Sequence, residues 1–198
     1  MNFDKNLSII HGYLCGDGYV IRNPKDQIHK YYQIGFRNTN KTLLEDFQRR
    51  FTRVFRITPI ISKDNDRCKI HNKEIYYLLT KKFSYYTREW ELPRLKMDNL
   101  KYWLRAFFDC EAWVENQPAK SRLIGLECCN YNGIKKIQQS LEKFNIESQV
   151  KTKKDRNIWR LTICGKEDLK KFRKDIGFLH PEKNKKLNEA INSYVNGR

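Results

Sequence analysis

The 198-residue chain sets 40 Lys and Arg against 23 Asp and Glu, a formal net charge of +17 with a pI near 9.6. Its 39% hydrophobic and 13% aromatic residues suffice for a core, and its length suits one large domain or two small ones. No apolar run approaches the roughly 18 residues of a spanning helix, so the basic excess points away from a membrane and toward a polyanion, above all nucleic acid.

The opening residues do not read as a secretory signal, so an intracellular protein is expected. The six cysteines, at 15, 68, 110, 128, 129 and 164, form no Cys-x-x-Cys pair, and the four histidines are scattered. A zinc finger or knuckle is therefore not expected, and the thiols should be free.

Residues 11–20, "HGYLCGDGYV", are the first informative stretch. An apolar, helix-like segment ends in Asp17 between two glycines. Alone this reads as a tight turn. The alternation of Tyr32, Ile34 and Phe36 then predicts a strand with one buried face. Thr39 or Asn40 would cap a helix presenting Leu43, Leu44, Phe47 and Phe51. "FRITPII" at 55–61 and "CKIHNKE" at 68–74 follow as two further strands, and another helix comes next. The segment 84–98, "SYYTREWELPRLKMD", reads as a linker punctuated by Pro93.

From there the pattern repeats. Residues 107–114, "FFDCEAWV", lie over 13–20, "YLCGDGYV", which sets Glu111 against Asp17. Ile124, Leu126 and Cys128 alternate as Ile34 and its neighbours do, and a helix from about Asn132 to Phe144 follows. "FNIESQV" at 144–150 answers "FRITPII", and "LTICGKE" at 161–167 answers "CKIHNKE". Four landmarks recur in order at offsets of 89 to 94. An α+β chain of two pseudo-symmetric α-β-β-α-β-β-α halves is predicted, residues 1–83 and 99–198, with a final helix at about 181–195.

Equivalent small residues, Gly12 and Ala106, would let the two motif helices pack closely and bring Asp17 and Glu111 side by side at their C-termini. Helix C-termini carry partial negative charge, so two more carboxylates there call for a cation. Hard oxygen ligands favour Mg²⁺, which binds through few protein groups and completes its shell with water and phosphate. Metal-assisted phosphodiester hydrolysis is the chemistry such a pair can do.

These paired motifs resemble the LAGLIDADG motifs of homing endonucleases, in a single-chain, two-copy form. Together with the tail "GFLHPEKNKKL", they look most like monomeric enzymes encoded in archaeal ribosomal-RNA introns. The resemblance implies a saddle of two antiparallel sheets over DNA with the motif helices at the seam. It implies a site-specific double-strand DNA endonuclease in the cytoplasm or nucleoid of a prokaryote, using two or more Mg²⁺ ions. The target would be a long pseudo-palindrome of roughly 20 base pairs. An RNA-binding intron maturase, or a non-catalytic DNA-binding protein on the same scaffold, is the alternative, and intron RNA is a second expected partner.

By the same resemblance Asp17 and Glu111 are metal ligands, and the carbonyls of Gly16 and Cys110 can also face metal. Cys15 stands where the motif has its first Asp, and Ala112 where it has its closing Gly. Asn38 and Asn130 end the second strand of each half and would orient water near the seam; the alternative for each is a helix N-terminal turn. Lys183 would neutralise a phosphate; its alternative is a solvated lysine. Strand parity, with Phe36, Ile70, Val150, Leu161 and Ile163 inward, turns outward Gln33, Arg37, Arg67, Lys69, Gln149, Lys151, Lys153 and Arg160. Arginine and glutamine read base edges and lysines hold phosphates, so this face is the expected DNA-binding face.

Overall fold

The computed structural model describes residues 2–117, 120–153 and 157–194, with the Lys153 side chain outside the described part. The first half runs α1 (Lys5–Cys15), β1 (Gly18–Val20), β2 (Gln33–Arg37), α2 (Lys41–Phe55), β3 (Ile60–Ile61), β4 (Arg67–His71) and α3 (Lys73–Thr80). The second runs α4 (Met97–Glu111), β5 (Ala112–Gln117), β6 (Ser121–Cys128), α5 (Tyr131–Glu142), β7 (Gln149–Lys153), β8 (Ile158–Cys164) and α6 (Lys166–Asp175), and α7 (Pro181–Asn192) follows. Each half builds a four-stranded antiparallel sheet, ordered β1-β2-β4-β3 and β5-β6-β8-β7. This is the expected α+β architecture of two duplicated halves forming a saddle.

The strand registers fix the equivalences. Gly18 opposes Phe36 as Ala112 opposes Leu126, and Arg37 opposes Arg67 as Glu127 opposes Arg160. Backbone conformation repeats as well. Arg56 and Asn145, just past α2 and α5, are both left-handed, at φ 58° and 55°. So are Asn65 and Asn157 in the two β-turns, at 51° and 52°.

Helices cover one face of each sheet, where Ile34, Phe36, Cys68, Ile124, Leu126, Leu161 and Ile163 are buried. Asn40 caps α2 by accepting from the Leu43 amide, and Asn130 caps α5 by accepting from Gly133. The segment between α3 and α4 packs into the same core: Tyr85 and Trp90 are buried, and the Trp90 ring lies 4.7 Å from Phe107. Among the described residues no helix is long and apolar enough to cross a membrane.

The seam is α1 against α4. A Cβ on Gly12 would come within 2.6 Å of the Trp103 carbonyl oxygen and 3.0 Å of the Ala106 Cβ. One on Gly16 would come within 2.6 Å of the Cys110 Cβ. Neither position has room for a side chain while the helices stay this close.

Candidate functional site

Asp17 follows the C-cap of α1, whose Gly16 amide donates to the Gly12 carbonyl at 3.2 Å. Glu111 is the last residue of α4. The packed seam therefore delivers both carboxylates to one place. Asn38 donates from Nδ2 to Asp17 Oδ2 at 2.7 Å, and the Arg37 amide donates to the Asp17 carbonyl at 2.9 Å. Burial raises the Asp17 carboxyl above its usual range, against the pull of Asn38, Cys110 and Lys183. Burial lifts Glu111 to about 7, and the negative charge of Asp17 adds to that rise. Two acids that each resist ionisation, and that repel one another, form a site short of positive charge.

Lys183 partly answers that shortage. From the first turn of α7 its Nζ donates to the carbonyls of Asp109 at 2.5 Å, Cys110 at 3.2 Å and Phe108 at 3.4 Å, capping the negative end of α4. Burial lowers its pKa, while Cys110, Asp109, Asp17 and Glu111 oppose that. The Cys110 carbonyl expected to face metal thus already accepts from an ammonium group. Asp109 holds α7 in position: its Oδ1 accepts from the amides of Leu179 at 3.0 Å and His180 at 2.9 Å. Sequence reasoning assigned this motif position no partner, because the chain it grips lies 70 residues away.

Two expectations need correction. Asn130 does not reach the acids. Its Oδ1 accepts from Gly133 at 2.9 Å and its Nδ2 donates to the Trp90 carbonyl at 2.6 Å, so it is a buried cap and a clamp on the inter-half segment. The registers make it the counterpart of Asn40, and Cys128 the counterpart of Asn38. Among the described residues, Asp17 therefore has such an amide partner and Glu111 has no equivalent asparagine at the matching strand position. Gly18 stands where the chain turns out of α1 into β1, a place where the sequence suggests a backbone angle open mainly to glycine, but it is not among the glycines with positive φ. Its constraint is contact: a Cβ there would strike the backbone of Leu14.

Hard-oxygen acids fit a divalent cation. Among the described residues no group of three or more His, Cys, Asp and Glu could hold a metal ion. Two carboxylates alone suit an ion such as Mg²⁺, which takes the remainder of its shell from water and phosphate.

Flanking the acids, both sheets turn a polar face away from the helices. Pairing places Gln33, Arg37, Arg67 and Lys69 on one such face, and Gln149, Lys151 and Arg160 on the other. Glu127 shares the second face and was missed, because a lone glutamate in a strand gives no signal. Two aromatics of the motifs also lie there. Tyr19 covers Gly35 and Trp113 covers Gly125 so closely that a Cβ on either glycine would collide with the ring. The Arg160 guanidinium stands 5.3 Å from the centre of the Trp113 ring.

Comparisons agree with this geometry. The LAGLIDADG-like domain model matches twice, at residues 4–87 and 98–177. The replication factor C small subunit of Thermococcus kodakarensis is 27% identical over 180 residues, 87% of this chain but 19% of that protein. The homing endonuclease I-ApeI of Aeropyrum pernix is 26% identical over 136 residues, 63% of this chain and 60% of that one. Among solved structures, the homing endonuclease I-WcaI bound to its DNA recognition sequence superimposes with a TM-score of 0.63 at 17% identity, covering 94% of this chain and 88% of that one. I-DmoI in complex with DNA and Mn gives 0.59 at 14%, covering 86% and 97%. Full-length WhiA from Thermatoga maritima gives 0.62 at 16%, covering 98% and 62%. With both halves matched by one domain model, the chain belongs to the LAGLIDADG-like domain family and carries that domain in two copies.

Proposed function

We propose that the protein is a monomeric, site-specific, Mg²⁺-dependent double-strand DNA endonuclease that acts in intron homing. The observation that carries this is the meeting of Asp17 and Glu111 at the C-termini of two packed helices, between two sheets with basic outer faces. One chain supplies both acids and both sheets, so no second copy is needed. The relatives point the same way. The matched segment forms 19% of a replication protein in one organism and 60% of a homing endonuclease in another, which supports reading it as a self-contained unit.

Asp17 and Glu111 would hold the cation, each serving mainly one scissile phosphate. The bound ion would supply activation of water and neutralisation of the leaving oxygen. Asn38 donates to Asp17 Oδ2 and would hold the carboxylate in place to ligate the cation. Lys183 keeps a positive charge beside the acids, where phosphate negative charge builds in the transition state. The sheet arginines and lysines would hold and read DNA, covering roughly 20 base pairs between them.

The test is cleavage of a supercoiled plasmid carrying the intron-free insertion site of the host gene, with and without Mg²⁺. Asp17→Asn and Glu111→Gln should each leave folding and DNA binding intact and cut cleavage by several orders of magnitude, because a neutral amide is a poor Mg²⁺ ligand. Wild-type cleavage by the double variant would overturn the assignment. Tight binding by the wild-type protein without cleavage would return it to the alternative of a DNA-binding protein on this scaffold.

A further inference from the structure

One equivalent rung of the two central strand pairs differs between the halves. In the first sheet Arg37 faces Arg67; in the second Glu127 faces Arg160. Yet Arg67 and Arg160 meet the same fate. Arg67 donates from Nε to Asp66 Oδ1 at 2.9 Å and from Nη2 to Oδ2 at 2.6 Å. Arg160 donates from Nε to Glu127 Oε1 at 2.7 Å, with Nη2 2.5 Å from the same oxygen. In both, a carboxylate occupies the Nε–Nη2 edge of the guanidinium and leaves the Nη1 side to other partners.

The two carboxylates do not share an origin. Asp66 precedes β4, beside its arginine, whereas Glu127 reaches across from β6 and stands where the first half has Arg37. Duplication alone therefore does not explain the shared geometry. Nor does stability, since Arg67 and Arg160 keep 41% and 40% of their side chains exposed, and exposed ion pairs contribute little. A carboxylate on a face turned toward DNA also repels phosphate. Its retention needs a benefit on that face.

We propose that Asp66 and Glu127 are positioning residues for target readout. Each holds its arginine in one orientation, so that the remaining edge of the fork meets a guanine in the major groove. This rests on the DNA-binding reading above. The gain is preorganisation: a long side chain fixed in advance loses less freedom on contact. Trp113 adds a second wall for Arg160, at 5.3 Å.

The experiment selects a randomised duplex library on the whole protein without divalent metal, then sequences what is retained. Wild type, Arg67→Ala, Arg160→Ala, Asp66→Ala, Glu127→Ala and Glu127→Asp are compared, with thermal unfolding as a check on the fold. Arg67→Ala should lose a guanine preference at one position, by about 10-fold for a bidentate contact. Asp66→Ala should lose it at that same position and bind unrelated duplex more tightly, because a negative charge has gone. Glu127→Ala should do likewise at the position of Arg160, and Glu127→Asp should restore part of the preference. A purely structural ion pair would lower the unfolding midpoint and weaken all positions together. That result, or guanine preferences unchanged in both alanine variants, overturns the proposal. Failure of the wild-type protein to enrich any sequence is a separate outcome, which removes the DNA-recognition reading and this inference with it.

Discussion

His11 is wholly buried in the seam, where its Nδ1 accepts from Trp103 Nε1 at 3.0 Å and lies 3.3 Å from the Cys15 sulfur. Rings of Phe3, Phe83 and Tyr85 enclose it. Burial lowers its pKa from 6.5 to about 3. A lowered folded pKa stabilises the fold above the unfolded value of 6.5, and that stability is lost progressively as pH falls toward 3. The cost approaches about 1.4 kcal/mol per pH unit within that window. Asp109 and Glu111, lifted to about 6 and about 7 by burial, work in the opposite direction and gain stability on acidification. The clean measurement is therefore a difference. Urea unfolding at pH 7.5 and pH 5 should show a loss in the wild-type protein that exceeds that of His11→Gln by on the order of 1–2 kcal/mol. Equal losses would place the proton elsewhere. Cys15, by contrast with Asp109, cannot grip a distant turn, so the two motifs are joined to the rest of the fold by different chemistry.

Helix packing depends on Gly12, where a side chain meets the Trp103 carbonyl. Gly12→Val should cost about 3 kcal/mol or more, since overpacking against backbone cannot be relieved by a rotamer change. It should also reduce cleavage in material that still folds, because the acids ride on the helices it separates. The left-handed residues just past α2 and α5 allow the opposite kind of change. Arg56 and Asn145 both adopt left-handed backbone, which asparagine tolerates and arginine resists. Arg56→Asn should raise stability by up to about 1 kcal/mol in denaturant titration, and no gain would mean that lost contacts of the arginine side chain outweigh the relief. Helix and strand order, the cap at Asn40 and the inward faces of the strands could all be read from periodicity. For Asn130 the sequence left a helix N-terminal turn open beside the water-orienting role, and periodicity alone could not choose the cap that the structure shows. The offset between halves is 94 at Gly18 and Ala112 but 90 at Phe36 and Leu126, because the first hairpin is four residues longer. Matching asparagines by eye across that change pairs Asn130 with Asn38 instead of Asn40.

The whole molecule presents an excess of 17 positive charges. Binding to duplex DNA should therefore weaken steeply with salt as counterions are released from phosphate. With roughly six phosphate contacts the loss is about a thousandfold between about 50 and 200 mM monovalent salt. A flat response in a filter-binding titration would remove electrostatics as the main source of affinity. The sign and size of this charge, the duplication and the paired acids were visible in the sequence because each is local or additive. Lys183 on the α4 carbonyls, Asp109 on the 179–180 turn and Glu127 on Arg160 were not, because each needs strands or helices 33 to 75 residues apart to be placed in space first.

The tight backbone contact at Gly12 and Gly16 has a consequence for how such a protein can change over time. The spacing of the two acids is set where Gly12 meets the Trp103 main chain and Gly16 meets Cys110, while the side chains facing outward belong to the strands of the two sheets. Mutations that retune the outer faces to a new sequence leave the spacing of the acids as it was. Drift in what is recognised is thereby uncoupled from what is done to it, and a lineage can follow a changing target without rebuilding its chemistry.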